Sequence, residues 1–134
     1  MPAWITEREA LALHDRLLAL YGGLAGLRDQ GLLQSALARA QQIYACGDSP
    51  DIFEMAAAYT SGIVRNHPFV DGNKRTGFVV GILFLELNGY AFTASEEDAA
   101  QAVLNLAAGA MEESDYASFL KANAKRVRRR TTKA

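Results

Sequence analysis

An all-α fold is expected for these 134 residues: a bundle of about six helices around one buried central helix at about 73–88. Three observations predict it. Apolar residues recur at helical spacing through most of the chain, and the breaks between those stretches carry capping residues or Gly and Pro. The run Phe78-Val79-Val80-Gly81-Ile82-Leu83-Phe84-Leu85 is also apolar nearly all round, as a helix enclosed by others must be.

The first helix is expected from about 7 to 20. Thr6 and Glu9 form a capping box at its start, and Ala10, Leu11, Leu13, Leu17, Leu18 and Leu20 supply its apolar stripe. His14 and Asp15 read as surface or packing residues, because one histidine without a spaced partner is poor ground for a site. Tyr21 to Gly31 is a glycine-rich connection, with Asp29 placed to cap the next helix. That second helix, about 31 to 45, presents Leu32, Leu33, Ala36, Leu37, Ala40 and Ile43 to the core and stops at Gly47-Asp48-Ser49-Pro50.

Asp51 and Glu54 open a third helix as an acidic capping box, and its many small residues permit close packing. Pro68 turns His67 away from the right-handed helical region, so this helix ends at about Asn66 or His67. In the fourth helix Gly77 and Gly81, four apart, offer a smooth face to a neighbour, and Asn88-Gly89 is a stop. Tyr90 to Thr93 is a short extended link. Ser95 with Glu96, Glu97 and Asp98 opens a fifth helix to about 108, and Ser114 caps a sixth whose Tyr116, Phe119 and Leu120 face inward.

Half of the residues are hydrophobic and 22% are charged, the balance of an ordinary globular domain. The one cysteine, Cys46, excludes an internal disulfide framework, fits a reducing cytoplasm and reads as a small, semi-buried apolar residue. Met1 to Glu7 contain no basic segment leading into an apolar stretch, so no signal peptide is expected. No apolar run reaches the roughly 18 residues of a membrane span, and a cytoplasmic location is expected. The net charge is −1, yet residues 125–134 hold six of the 14 basic residues and no acidic one, which leaves −7 on residues 1–124. The expectation is therefore a single domain over 1–124 and a basic tail over 125–134. That tail is read first as a solvated terminus, and second as a contact for nucleic acid or an acidic partner.

The chemistry concentrates in His67-Pro68-Phe69-Val70-Asp71-Gly72-Asn73-Lys74-Arg75-Thr76-Gly77. Gly72, Asn73 and Lys74 fall at the N-terminus of the fourth helix, where unpaired N–H groups and the positive end of the helix dipole make an anion site. Lys74 and Arg75 add full charges there, and Gly72 lets the backbone approach a phosphate closely. His67, just before that site, can serve as a general base near neutral pH, and Asp71 can hold a divalent cation that bridges phosphate oxygens. Arg65, two residues before His67, is a candidate contact for phosphate or target, or else a solvent ion pair. The chemistry implied is group transfer from a phosphate-bearing ligand to a hydroxyl.

This segment resembles the signature of the Fic/Doc superfamily, His-x-Phe-x-(Asp or Glu)-(Gly or Ala)-Asn-(Gly or Lys)-Arg, with His67, Phe69, Asp71, Gly72, Asn73, Lys74 and Arg75 all matching. In the adenylyl-transferring Fic branch the position of Lys74 is usually Gly, and a second Arg stands where this chain has Phe78. Both departures point to the Doc (death-on-curing) toxins of toxin-antitoxin pairs. The resemblance implies a compact Fic/Doc-like bundle and a kinase that passes the γ-phosphate of ATP, held with Mg2+, to a threonine of translation elongation factor Tu, arresting translation. It implies that His67 deprotonates the target hydroxyl, that Asp71 positions Mg2+, and that Gly72, Asn73, Lys74 and Arg75 hold the phosphates, with Phe69 anchoring the loop. The stretch from Tyr21 to Leu37 resembles a loop near the active-site mouth of such proteins, which makes Arg28 and Asp29 candidates for docking or gating.

Two other readings are open at this stage. One is a nucleotidyl (AMP) transferase acting on a protein hydroxyl, which Gly72 and Asn73 suit and Lys74 and Phe78 do not. The other is a catalytically silent module that binds an antitoxin and regulates its association with DNA. Some Fic proteins carry a self-inhibitory helix, (Ser or Thr)-x-x-x-Glu-(Gly or Asn), and no such string occurs here. An external antitoxin is therefore expected, its helical segment lying in an apolar groove beside the site.

Overall fold

Among the described residues six helices and a two-stranded ribbon follow one another in the order α1 Glu7–Tyr21, α2 Gln30–Cys46, α3 Ile52–Asn66, α4 Asn73–Leu87, β1 Tyr90–Phe92, α5 Glu96–Ala108, α6 Glu113–Ala122 and β2 Ala124–Arg126. The structure, a computed structural model, describes residues 1–127. No helix among them is long and apolar enough to cross a membrane.

The N-terminal signals act as local chemistry dictates. Thr6 accepts from the Glu9 N–H while Glu9 accepts from the Thr6 N–H, and Asp29 accepts from Leu32 N–H. Asp51 caps α3 through the Phe53 N–H, and Ser95 caps α5 through the Asp98 N–H. The sixth helix departs from expectation: its N-cap is Glu112, whose N–H donates to the Asp115 carboxylate at 3.3 Å, and Ser114 lies inside the first turn. An acidic pair three apart satisfies the helix start as well as a serine does, and it lies two residues earlier.

The central position is shared. The sequence puts α4 there alone, whereas the structure pairs α4 with α3 and encloses α3 more fully: every residue from Met55 to Val64 is buried, while α4 leaves Val79, Ile82 and Leu83 half-buried. The reason is the small-residue content of α3, which lets α2, α4 and α6 close in on three sides. A Cβ on Gly62 would sit 3.0 Å from the Ala36 Cβ, and one on Gly77 3.1 Å from the Thr60 backbone oxygen. Thr60 Oγ1 donates to the Gly77 carbonyl at 2.8 Å across this close approach.

The N-terminal segment and the ribbon close over the pair. Asn88 accepts from the Ala3 N–H and donates to the Ala3 carbonyl, tying the N-terminal segment to the end of α4. The Tyr90–Thr93 link is a strand, and its partner is the start of the basic tail: Tyr90, Ala91 and Phe92 pair antiparallel with Arg126, Lys125 and Ala124. Lys125 and Arg126 thus belong to the folded body, with the Arg126 guanidinium 5.4 Å from the Tyr90 ring centroid and bonded to its hydroxyl. Residues 128–134, the rest of the expected tail, lie outside the described residues. Cys46 is exposed at the end of α2, against the semi-buried position expected of it, because the chain turns away from the core at Gly47.

Candidate active site

Helix α3 stops where Pro68 requires it to. His67 is its C-cap, in the left-handed region at φ 51°, and its N–H still donates to the Ile63 carbonyl. Five residues later Gly72, also left-handed at φ 78°, starts α4. The loop between is pinned at its middle by Phe69, 1% exposed, whose ring stacks on that of His14 from α1 at 3.8 Å and 9°.

The glycine-rich connection lies along this loop as a second strand would. Val70 N–H donates to the Gly26 carbonyl, and the Arg28 and Asp29 N–H groups donate to the Pro68 carbonyl, so that Leu27 and Phe69 form an antiparallel bridge. The Arg28 guanidinium donates to the His67 carbonyl at 2.6 Å and to the Asn66 carbonyl at 2.8 Å. The sequence offered Arg28 for docking or gating; in the fold these donors are engaged by the end of α3. Asp29 is the cap of α2.

Asp71 is exposed, and its carboxylate is held by backbone. Oδ2 accepts from the Leu24 N–H at 3.0 Å and Oδ1 from the Gly72 N–H at 2.9 Å. Those two bonds, Leu24 first, hold its carboxyl below the usual carboxylate range, and the Arg75 charge acts in the same direction. From behind, His14 Nε2 lies 2.8 Å from the Asp71 backbone oxygen. The glycine before Leu24 is required here: Gly23 sits at φ 124°, and a Cβ on it would meet Asp71 Oδ2 at 3.0 Å.

Asn73 was expected among the phosphate contacts. Its side chain, 5% exposed, is committed elsewhere: Oδ1 accepts from the Phe69 N–H, Nδ2 donates to the Phe69 carbonyl, and the same Nδ2 lies 3.3 Å from His67 Nδ1. Asn73 therefore braces the loop and the imidazole. Its backbone remains available to an anion, because the N–H groups of Asn73, Lys74 and Arg75 have no partner among the described residues, the first bond of α4 being Thr76 N–H to the Gly72 carbonyl. His67 Nε2 likewise has no partner among them.

Lys74 and Arg75 are exposed at this helix end, and the Arg75 guanidinium stands 4.3 Å over the Tyr21 ring. Both line a cavity of about 650 Å3 between α1, α4 and α5, whose apolar walls include Leu17, Phe78, Val79, Phe92 and Val103. Arg65 is exposed in the last turn of α3 with no ion pair among the described residues. The fold thus gathers His67, Asp71, Gly72, Lys74 and Arg75 around one helix N-terminus. His14, Leu24 and Tyr21, which hold these groups, were not read as parts of the site. The Gly22-Gly23 pair directly after α1 is the signal that points to them.

The arrangement suits Mg2+ carried by a phosphate ligand. Asp71 is exposed and each of its carboxylate oxygens accepts a single hydrogen bond, which leaves acceptor capacity for a cation. No cluster of three metal-ligating side chains exists among the described residues, so further oxygens would have to come from the ligand or water.

Comparison with known proteins agrees with the geometry. The family model described as "Fic/DOC family" matches residues 4–85, from the N-terminal segment into the last turn of α4. The chain is 36% identical to "Protein kinase doc" of Escherichia phage P1 over 117 residues, 87% of this chain and 92% of that one. It is 39% identical to "Toxin Doc" of Mycolicibacterium smegmatis over 87 residues, 63% of this chain and 67% of that one. With its motif assembled at the α4 N-terminus and Doc proteins aligned over most of its length, the chain belongs to the Fic/Doc family.

Proposed function

We propose that this protein is a Doc-type toxin: a protein kinase that transfers the γ-phosphate of ATP to a target hydroxyl, with a threonine of elongation factor Tu as the target, and so arrests translation. The observation that carries the reading is the convergence of a free imidazole nitrogen, a carboxylate and an unpartnered, doubly cationic helix N-terminus on one loop. Packing alone has no use for that combination. The name of the phage relative, "Protein kinase doc", supports phosphate transfer, and so do Lys74 and Phe78, where adenylyl-transferring Fic proteins have Gly and Arg.

In this mechanism the N–H groups of residues 73–75, with Lys74 and Arg75, bind the phosphates and stabilise the charge that spreads over them during transfer. Asp71 holds Mg2+, which supplies further charge neutralisation when bound. The hydroxyl oxygen bonds to the γ-phosphorus, the bond from that phosphorus to the β,γ-bridging oxygen breaks, and ADP leaves with the electron pair. His67 Nε2 takes the hydroxyl proton and releases it to solvent. Arg65, exposed beside His67, is the candidate contact for the target. A separate antitoxin neutralises the toxin by laying an amphipathic helix into the apolar cavity beside Lys74 and Arg75; any association with DNA runs through that antitoxin.

The test is incubation of the purified chain with Mg2+, elongation factor Tu and ATP labelled at the α or the γ position, with His67→Ala as control. Label from the γ position alone, lost in His67→Ala, is the expected result. Label from the α position makes the protein a nucleotidyl transferase, and transfer by His67→Ala removes His67 from the role of base.

A further inference from the structure

Among the described residues His67 is the one non-glycine residue with a positive φ. Left-handed backbone disfavours any L-residue with a Cβ and persists only where the surroundings over-determine it. Three consecutive carbonyls around this residue, those of Asn66, His67 and Pro68, are all taken by Arg28 and the residue after it. The Arg28 guanidinium takes the first two, and the backbone N–H groups of Arg28 and Asp29 take the third. The last carbonyls of a helix are its negative end, so a cation is favoured there, and a planar fork can serve two of them at once.

We propose that Arg28 is a positioning residue: its guanidinium, forked across the backbone oxygens of Asn66 and His67, fixes the left-handed turn that holds the His67 imidazole beside the α4 N-terminus. This rests on the reading of His67 as the base. Asn73 braces the ring from the other side, so the imidazole is fixed at its backbone by one residue and at Nδ1 by another. Arg28 is exposed, and replacing it leaves no buried cavity that would unfold the chain.

The experiment compares Arg28→Ala and Arg28→Lys with Arg39→Ala, which breaks the ion pair of α2 to α6 at a side chain that bonds to no residue of the loop. Three quantities are read: kcat and KM for γ-phosphate transfer, thermal stability, and the three-bond coupling between the amide and α protons of His67, which reports its φ. In Arg28→Ala the coupling is expected to move away from its left-handed value and kcat to fall about 100-fold with KM for ATP within about twofold, the size of loss that misplacing a reacting group by about 1 Å produces. Arg28→Lys recovers part of kcat, since an ammonium reaches one carbonyl but cannot fork, and Arg39→Ala lowers thermal stability with kcat unchanged. An Arg28→Ala chain with wild-type coupling and kcat overturns the proposal. If the wild-type chain transfers no phosphate, the kinase reading fails on its own, and the coupling alone decides whether Arg28 holds the turn.

Discussion

The imidazole of His14 on α1 lies 2.8 Å from the backbone oxygen of Asp71, a contact between residues 57 apart in the chain. The same ring stacks on Phe69, so one buried side chain carries the weight of the whole loop against α1. His14→Ala removes a hydrogen bond and a stacked pair and leaves a cavity, and a loss of about 2–4 kcal/mol in urea denaturation is expected. Gln, which keeps a donor, is expected to lose less. Substitution of the exposed neighbour Asp15 by Ala is expected to stay within about 0.5 kcal/mol. Equal effects at the two positions would show that the loop does not lean on His14.

The conformation of His67 predicts an unusual order of stability among its substitutions. Asn tolerates left-handed backbone best among residues with a Cβ, whereas a β-branched residue resists it. At φ 51°, His67→Asn is expected to melt at or above the wild-type temperature and His67→Val to lose about 1–2 kcal/mol, with both inactive in phosphate transfer. Thermal melts of the purified variants decide it; a His67→Val chain as stable as His67→Asn would mean that the left-handed turn is not under strain.

Much of this architecture is local and was therefore legible in the sequence. Thr6 with Glu9, Asp29, Asp51 and Ser95 each act within three residues of themselves, and helix ends such as Asn88-Gly89 and the turn before Pro68 obey the same short range. The motif residues fall together because α4 begins inside the motif. What periodicity cannot report is pairing across distance. Tyr90–Phe92 looks like a link until Ala124–Arg126 lies beside it, and Arg28 looks like a free surface cation until the end of α3 arrives. Asn73 shows the limit inside the motif itself. Its place at a helix N-terminus suggested a ligand contact, yet its amide is engaged by Phe69, four residues away on the loop, and lies against the His67 ring.

Asp71 carries a pH signature. Its folded carboxyl titrates below the ordinary range because the Leu24 and Gly72 N–H groups stabilise the charged form. A depressed folded value means that the stabilisation is fully present above the unfolded pKa, about 3.9, and is lost as pH falls through the folded value. Relative to Asp71→Asn, the wild-type chain is therefore expected to keep a constant margin above about pH 5 and to lose it progressively below about pH 4. Denaturation midpoints measured from pH 7 down to 3 read this directly. A margin that stays flat across that range would mean that the two N–H groups favour Asn as much as the carboxylate.

Gly81 couples the packing of the helix pair to the site. A Cβ there would collide with Thr60 Oγ1 and come within 3.1 Å of the Ala56 carbonyl, and Thr60 Oγ1 is the group that donates to the Gly77 carbonyl. Gly81→Ala must therefore either push α4 away from α3 or rotate Thr60 and break that bond. Either way a loss of about 1–3 kcal/mol is expected, despite the better helix propensity of Ala. If Thr60 is the obstacle, Thr60→Ala combined with Gly81→Ala should lose clearly less than the two single losses together, because the first change clears the space that the second fills. Strict additivity in chemical denaturation would instead assign the cost to the Ala56 backbone, which no side-chain change can move. Because the N-terminus of α4 is the proposed anion site, Gly81→Ala is also expected to weaken ATP binding, whereas the double variant restores it along with the helix spacing.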